Sequence, residues 1–328
     1  MPASANRLTS RRLNGPMNNG IATTFRPRIV VAMAVAMATV AATGCADPEP
    51  TFLVEPSADD VGDYGVAVVE RDLRVRVDDT VSTLVYLPTD GPRELADGPF
   101  ELALLLHGGD VKAHQYAWLA RHLARRGFVV AAPEHAFDLA IFSTGNGPAV
   151  IDAIDRASDR SGDLLEGRVS DEPAIATGHS LGGVVATKTW LRAPDRVSHL
   201  LLLQSIPDSA DAHDLNERSS AGRVFAIAGE RDGRIPPDEI ADELRLFDTK
   251  IPLAVVEGQN HFQLVDGPEP SRFASDHPAT IDESTGRRQL LETVDVFIDD
   301  YRGDDTDFAD PQHWPSGVEP HDGPPEEL

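Results

Sequence analysis

Three features of this 328-residue chain predict an α/β architecture with one eight-stranded, mostly parallel sheet and helices on both faces. Short, continuous apolar runs recur through its middle, as strands buried on both faces of a parallel sheet require. Between them lie segments whose apolar residues recur at helical spacing. No internal repeat interrupts the alternation, so the helices must cover a single sheet from both sides.

The first two strands are expected to be antiparallel, because "VAVVERDLRVRV" (66–77) and "STLVYLP" (82–88) alternate with a period of two. "ELALLLHGG" (101–109) opens the parallel series. "QYAWLARHLARRG" (115–127) then sets Tyr116, Leu119, Ala120 and Leu123 on one helical face, and Gly127 stops it. "FVVAAPEH" is a strand, and "GPAVIDAIDRAS" a helix with Pro148 at its start. "PAIATGHS" runs as a strand into Ser180, and "LGGVVATKTWLRAP" follows as a helix ended by Pro194. "HLLLLQS", "RVFAIAGE" and "PLAVVEG" are three further buried strands. "QLLETVDVFIDDY" closes the domain with Leu290, Leu291, Val294, Phe297, Ile298 and Tyr301 on one face. Two antiparallel strands and six parallel ones make the eight.

A composition of 41% hydrophobic and 25% charged residues is that of a globular domain, neither disordered nor built to span a membrane. The formal net charge of −25 argues against nucleic acid or anionic lipid bound through a basic surface. Lys112, Lys188 and Lys250 are the only lysines. Cys45 is the only cysteine, which excludes an intrachain disulfide and a thiolate metal cluster.

The position of Cys45 suggests an address. Residues 1–28 hold Arg7, Arg11, Arg12, Arg26 and Arg28 without an acid, and "IVVAMAVAMATVAA" (29–42) follows as an apolar run. That run is short for a hydrocarbon layer of roughly 30 Å. A positive segment, a short apolar segment and a small-residue site form a secretory signal. Ala42-Thr43-Gly44-Cys45 resembles a bacterial lipobox, in which the cysteine is lipidated; leucine is the usual residue where Ala42 stands, so ordinary signal cleavage stays open. Translation could also begin at Met17. The expected organisation is a lipoprotein-type signal over 1–44, a polar tether over 45–63, a catalytic domain over 64–301 and an acidic, proline-rich tail over 302–328, disordered or draped on the surface.

Chemistry concentrates at strand ends. In "ATGHSLGGVVA" (176–186), Ser180 stands where a buried strand turns into a helix, flanked by Gly178 and Gly182. Glycines there let strand and helix approach while the serine takes a strained backbone conformation that projects its hydroxyl. A serine needs a base to take its proton and an acid to orient that base. "FAIAGERDGRIPP" puts Asp232 in the turn after a later strand, and "LAVVEGQNHFQL" puts His261 after the next. His277 and Asp208 are the reserve base and acid; Glu230 lies nearer its strand end, but the turn favours Asp232. "LLLHGGD" ends the first parallel strand, so the N–H groups of Gly109 and Leu181 are the expected oxyanion donors.

Together "LLLHGG", "LARRGFVVAAPEH", "GHSLGG", "GERDGRIPP" and "GQNHF" resemble the α/β-hydrolase superfamily over residues 64 to 301, in the order oxyanion loop, helix and strand, elbow, acid and base. The style is similar to platelet-activating-factor acetylhydrolases, chlorophyllases, cutinase-like polyester hydrolases and dienelactone-hydrolase-like proteins. Serine at the elbow separates the chain from the cysteine of the dienelactone enzymes and the aspartate of haloalkane dehalogenases. The resemblance implies a serine esterase, and the signal segment adds that it is exported, lipid-anchored at Cys45 in a bacterial envelope or otherwise secreted. Its partner would be a small-molecule ester, with no metal or organic cofactor and no membrane contact besides the anchor. Thioesterase, amidase and perhydrolase activities share this machinery, and a non-catalytic surface lipoprotein that kept the fold for binding is the rival class. The irregular stretch Phe262 to Gly286 is expected to form one wall of the cleft.

Overall fold

A computed structural model describes residues 48–53, 64–134, 146–218, 223–269 and 276–321. Cys45 and the whole signal segment lie outside these residues.

All eight expected strands form. They are β2 (Gly65–Arg76), β3 (Asp79–Gly91), β5 (Glu101–Leu106), β6 (Phe128–Pro133), β7 (Ala174–His179), β8 (Val197–Leu203), β9 (Arg223–Gly229) and β10 (Leu253–Val256). The sheet nevertheless has eleven strands among the described residues, because β1 (Thr51–Phe52), β4 (Glu94–Leu95) and β11 (Val318–Pro320) add to it. These three are two or three residues long, so they bury too little to leave an apolar pattern. β1 comes from the stretch expected as a tether, and it pairs antiparallel with β2.

The order is β1-β2-β3-β6-β5-β7-β8-β9-β10-β11, with β4 on β3. Strands β5 to β10 are mutually parallel, whereas β2–β3, β3–β6 and β10–β11 are antiparallel. From β5 the chain moves to β6 on one side, then crosses back to β7 on the other. Strand order therefore reverses between β5 and β7, and a crevice opens at their carboxyl ends.

Alternate strand residues feed two cores. On one face Leu102, Leu104, Ala176, Leu200 and Leu202 meet helices α2 (Gly147–Ser158) and α3 (Leu181–Arg192), with Trp190 fully buried. On the other, Ala103, Leu105, Val130, Leu201 and Ile227 meet α1 (Ala117–Arg125) and α6 (Glu283–Arg302). Two short helices escaped the sequence pattern, α4 (Ala212–Arg218) and α5 (Pro237–Leu244).

The segment after Arg302 lies ordered against the domain as far as His321. Phe308 is fully buried beside Phe225, and the Trp314 indole N–H donates to the Phe308 carbonyl at 2.9 Å. Asp300 accepts the Phe308 N–H at 2.9 Å and pairs with Arg223. Two aromatic anchors hold an otherwise acidic, proline-rich segment on the sheet.

Candidate active site

Ser180 joins β7 to α3 with φ 54° and ψ −128°, a conformation rarely adopted by a residue with a side chain. Such strain costs about 1–3 kcal/mol and persists only where neighbours hold it. Here the Ser180 N–H donates to the Leu203 carbonyl at 3.1 Å. The Ser180 carbonyl accepts from the Ser205 hydroxyl at 2.6 Å and the Gly183 N–H at 2.9 Å. The flanking glycines are required by contact: a Cβ on Gly178 would lie 2.3 Å from the Gly182 carbonyl, and one on Gly182 would lie 2.1 Å from Leu106 O.

Asp232 follows β9, and His261 opens a single 3₁₀ turn, His261–Leu264, after β10. Their side chains meet, with His261 Nδ1 2.7 Å from Asp232 Oδ2 and both groups buried. The other carboxylate oxygen accepts the Arg234 and Ile235 N–H groups, each at 2.8 Å. The carboxylate is thereby oriented on one side and free to accept the imidazole proton on the other. Asn260 caps the histidine's turn by accepting the Gln263 N–H at 3.2 Å.

The loop after β5 carries Gly108 and Gly109, then Asp110 at φ 56°. A buried chain holds this loop. The Gly108 N–H donates to the Tyr116 hydroxyl at 3.1 Å, and that hydroxyl lies 2.8 Å from His179 Nδ1. Burial pushes the His179 imidazole well below its ordinary pKa, the adjacent His261 adds to this, and Gln204 opposes it. A neutral His179 thus lies against His261, ring centres 4.5 Å apart. Gln204, buried at φ 46°, donates to the Asn260 carbonyl at 3.2 Å.

Tyr116→Phe should strand the Gly108 N–H and His179 Nδ1 inside the protein. Each unsatisfied buried group costs about 1–3 kcal/mol, so the denaturant midpoint should fall accordingly. An unchanged midpoint would remove this chain from the account of the loop.

A cavity of about 290 Å³ opens at this point, lined by Gly109, Ser180, Leu181 and His261 together with Val111, Arg234, Ile235, Phe262 and Val265. It sits where the strand order reverses. The structure brings Ser180, Asp232, His261, Gly109 and Leu181 together; of the irregular stretch Phe262 to Gly286, Phe262 and Val265 line the cavity, and residues 270–275 lie outside the described residues.

The reserve residues are engaged elsewhere. Asp208 pairs with Lys188 at 2.9 Å. Burial would raise the Asp208 carboxyl's pKa, but Lys188 and the Ala210 N–H outweigh it and hold it below the ordinary value. Glu230 accepts the Gly258 N–H at 2.8 Å. His277 is exposed and does not line the cavity. The motifs did not disclose Tyr116, Gln204 or Ser205, whose parts depend on contacts between distant segments. Among the described residues, no group of His, Cys, Asp or Glu could hold a metal ion.

No curated protein matches the chain in a similarity search. A family model described as "Alpha/beta hydrolase family" matches residues 102–281. That span exceeds half the chain and runs from β5 through His261. With the strand reversal and the serine turn beneath the cavity, the protein belongs to the alpha/beta hydrolase family.

Proposed function

We propose that the protein hydrolyses carboxylic esters through an acyl-enzyme on Ser180. The observation that carries this reading is the 2.7 Å hydrogen bond between Asp232 and His261, which lines the same cavity as Ser180. Asp232 accepts a hydrogen bond from Nδ1–H, which keeps the proton there and leaves the Nε2 lone pair as the base. His261 takes the hydroxyl proton as the Ser180 oxygen attacks the ester carbonyl. The tetrahedral oxyanion is held by the N–H groups of Gly109 and Leu181, the latter at the first turn of α3. His261 then protonates the departing alcohol, and water releases the acid by the same sequence.

The apolar lining and small volume favour a small neutral ester over a long-chain lipid. The test is turnover of a chromogenic acyl-length series, run beside matched thioesters and amides. Preference for the ester supports the reading. Preference for thioester or amide moves the same triad to another substrate class. No turnover, and no labelling by a fluorophosphonate, leaves the binding-module alternative.

Export and lipid anchoring through Cys45 belong to the same proposal. No helix among the described residues is long and apolar enough to cross a membrane. Two acyl chains are what stable anchoring requires. Full-length protein expressed in a diderm bacterium should sediment with membranes, and Cys45→Ser should release it or leave an unprocessed precursor. Intact mass decides: a mature N-terminus at Ala46 or beyond, without added lipid, would exclude the anchor.

A further inference from the structure

We propose that Asp276 is a positioning residue that holds the acid and base turns in register. The inference rests on reading Asp232 and His261 as acid and base. One oxygen of Asp276 accepts the Gly233 N–H at 2.8 Å and its own neighbour's, His277, at 2.9 Å. The other accepts the Phe262 N–H at 3.3 Å. Gly233 directly follows Asp232, and Phe262 directly follows His261. One carboxylate therefore binds the backbone next to each member of the pair. The next residue adds a second tie, since the His277 carbonyl accepts from Asn260 Nδ2 at 3.0 Å, immediately before His261.

These bonds hold the far ends of two turns whose near ends are already joined. Close to the sheet, the Arg231 N–H donates to the Gln259 carbonyl at 2.8 Å, and Glu230 accepts the Gly258 N–H. Beyond that point both turns leave strand pairing, and it is there that Asp232 must meet His261. Catalytic groups need placement within about 0.5 Å, which loops achieve only with a supporting layer of hydrogen bonds. Hydrogen bonds to an ionised carboxylate are stronger than neutral ones, so Asp276 suits this place better than a serine or asparagine would. Its contribution is to geometry, because it does not line the cavity.

Asp276→Asn tests the idea at nearly constant shape. An amide has one accepting oxygen, so its NH₂ must oppose a backbone N–H. For a chromogenic ester, kcat should fall about 10–100-fold with KM nearly unchanged, the pattern of lost geometry rather than lost binding. The fluorophosphonate labelling rate should fall in parallel. In an Asp232→Asn background the same change should add less than about twofold, because both act through one hydrogen bond. The low-field proton resonance of the His261 Nδ1–H gives a readout independent of turnover; it should shift or broaden in Asp276→Asn. Asp276→Glu, which restores the charge, should recover part of the rate in a folded protein. Unchanged kcat and resonance in folded Asp276→Asn and Asp276→Ala would overturn the proposal, as would a loss fully multiplicative with Asp232→Asn. A wild-type protein that shows the resonance but hydrolyses no ester would sink the esterase reading alone.

Discussion

Ser180→Ala is expected to abolish ester turnover and leave the fold in place. The missing oxygen is the atom that forms the acyl-enzyme, so no other group can complete the first step. What survives is binding and oxyanion stabilisation, which leave about 10³-fold over the uncatalysed rate. Stability should barely change. The backbone of Ser180 is held by Leu203, Ser205 and Gly183 through main-chain atoms that alanine retains. Alanine carries the same Cβ into the same strained φ. Kinetics on the purified variant, with a denaturation curve beside it, check both halves. Full activity in a folded Ser180→Ala protein would refute the mechanism.

Disabling the base should be nearly as severe. His261→Ala removes the group that takes and returns the proton, and adding Ser180→Ala to it should cost little more, because the residues act as a unit. Asp232→Asn probes the tautomer. The amide oxygen satisfies either the Arg234 and Ile235 N–H groups or His261, but not all three at once. With its oxygen on the two backbone donors, its NH₂ faces His261 Nδ1 and forces the proton onto Nε2. An imidazole protonated there cannot act as base, and kcat should drop about 10⁴-fold. His277→Ala and Asp208→Asn should be mild, since His277 faces solvent and Asp208 is occupied by Lys188. Loss of activity in either instead would reassign the role.

The eight main strands and the positions of Ser180, Asp232 and His261 were legible because each follows from local chemistry. A strand buried on both faces must be apolar throughout. A turn that brings strand and helix to near contact, as Gly178 and Gly182 do, needs glycine. A reactive group must stand at the carboxyl end of such a strand to reach a common crevice. The rest depends on partners far away in sequence. Tyr116 reads as one more apolar position on the helix predicted over 115–127, and only the fold sets its hydroxyl between Gly108 and His179. Gln204 and Asp276 are polar residues after a strand and in an irregular stretch, with no spacing rule to mark them. The strands β1, β4 and β11 are stabilised by backbone pairing, which any sequence without proline at the donor position can supply. For the segment after Arg302 composition left two readings open, disordered or draped on the surface. Its average composition suits a disordered tail, yet buried Phe308 and Trp314 dock it together with the pairing of β10 and β11.

The central claim, that Ser180 attacks the carbonyl with His261 as its base, is tested most directly by mass spectrometry of the protein treated with a fluorophosphonate. One phosphonyl group per chain should appear, mapped to the peptide carrying Ser180, and labelling should slow sharply in His261→Ala. A folded protein that takes up no label, or carries it on any residue other than Ser180, would contradict the account.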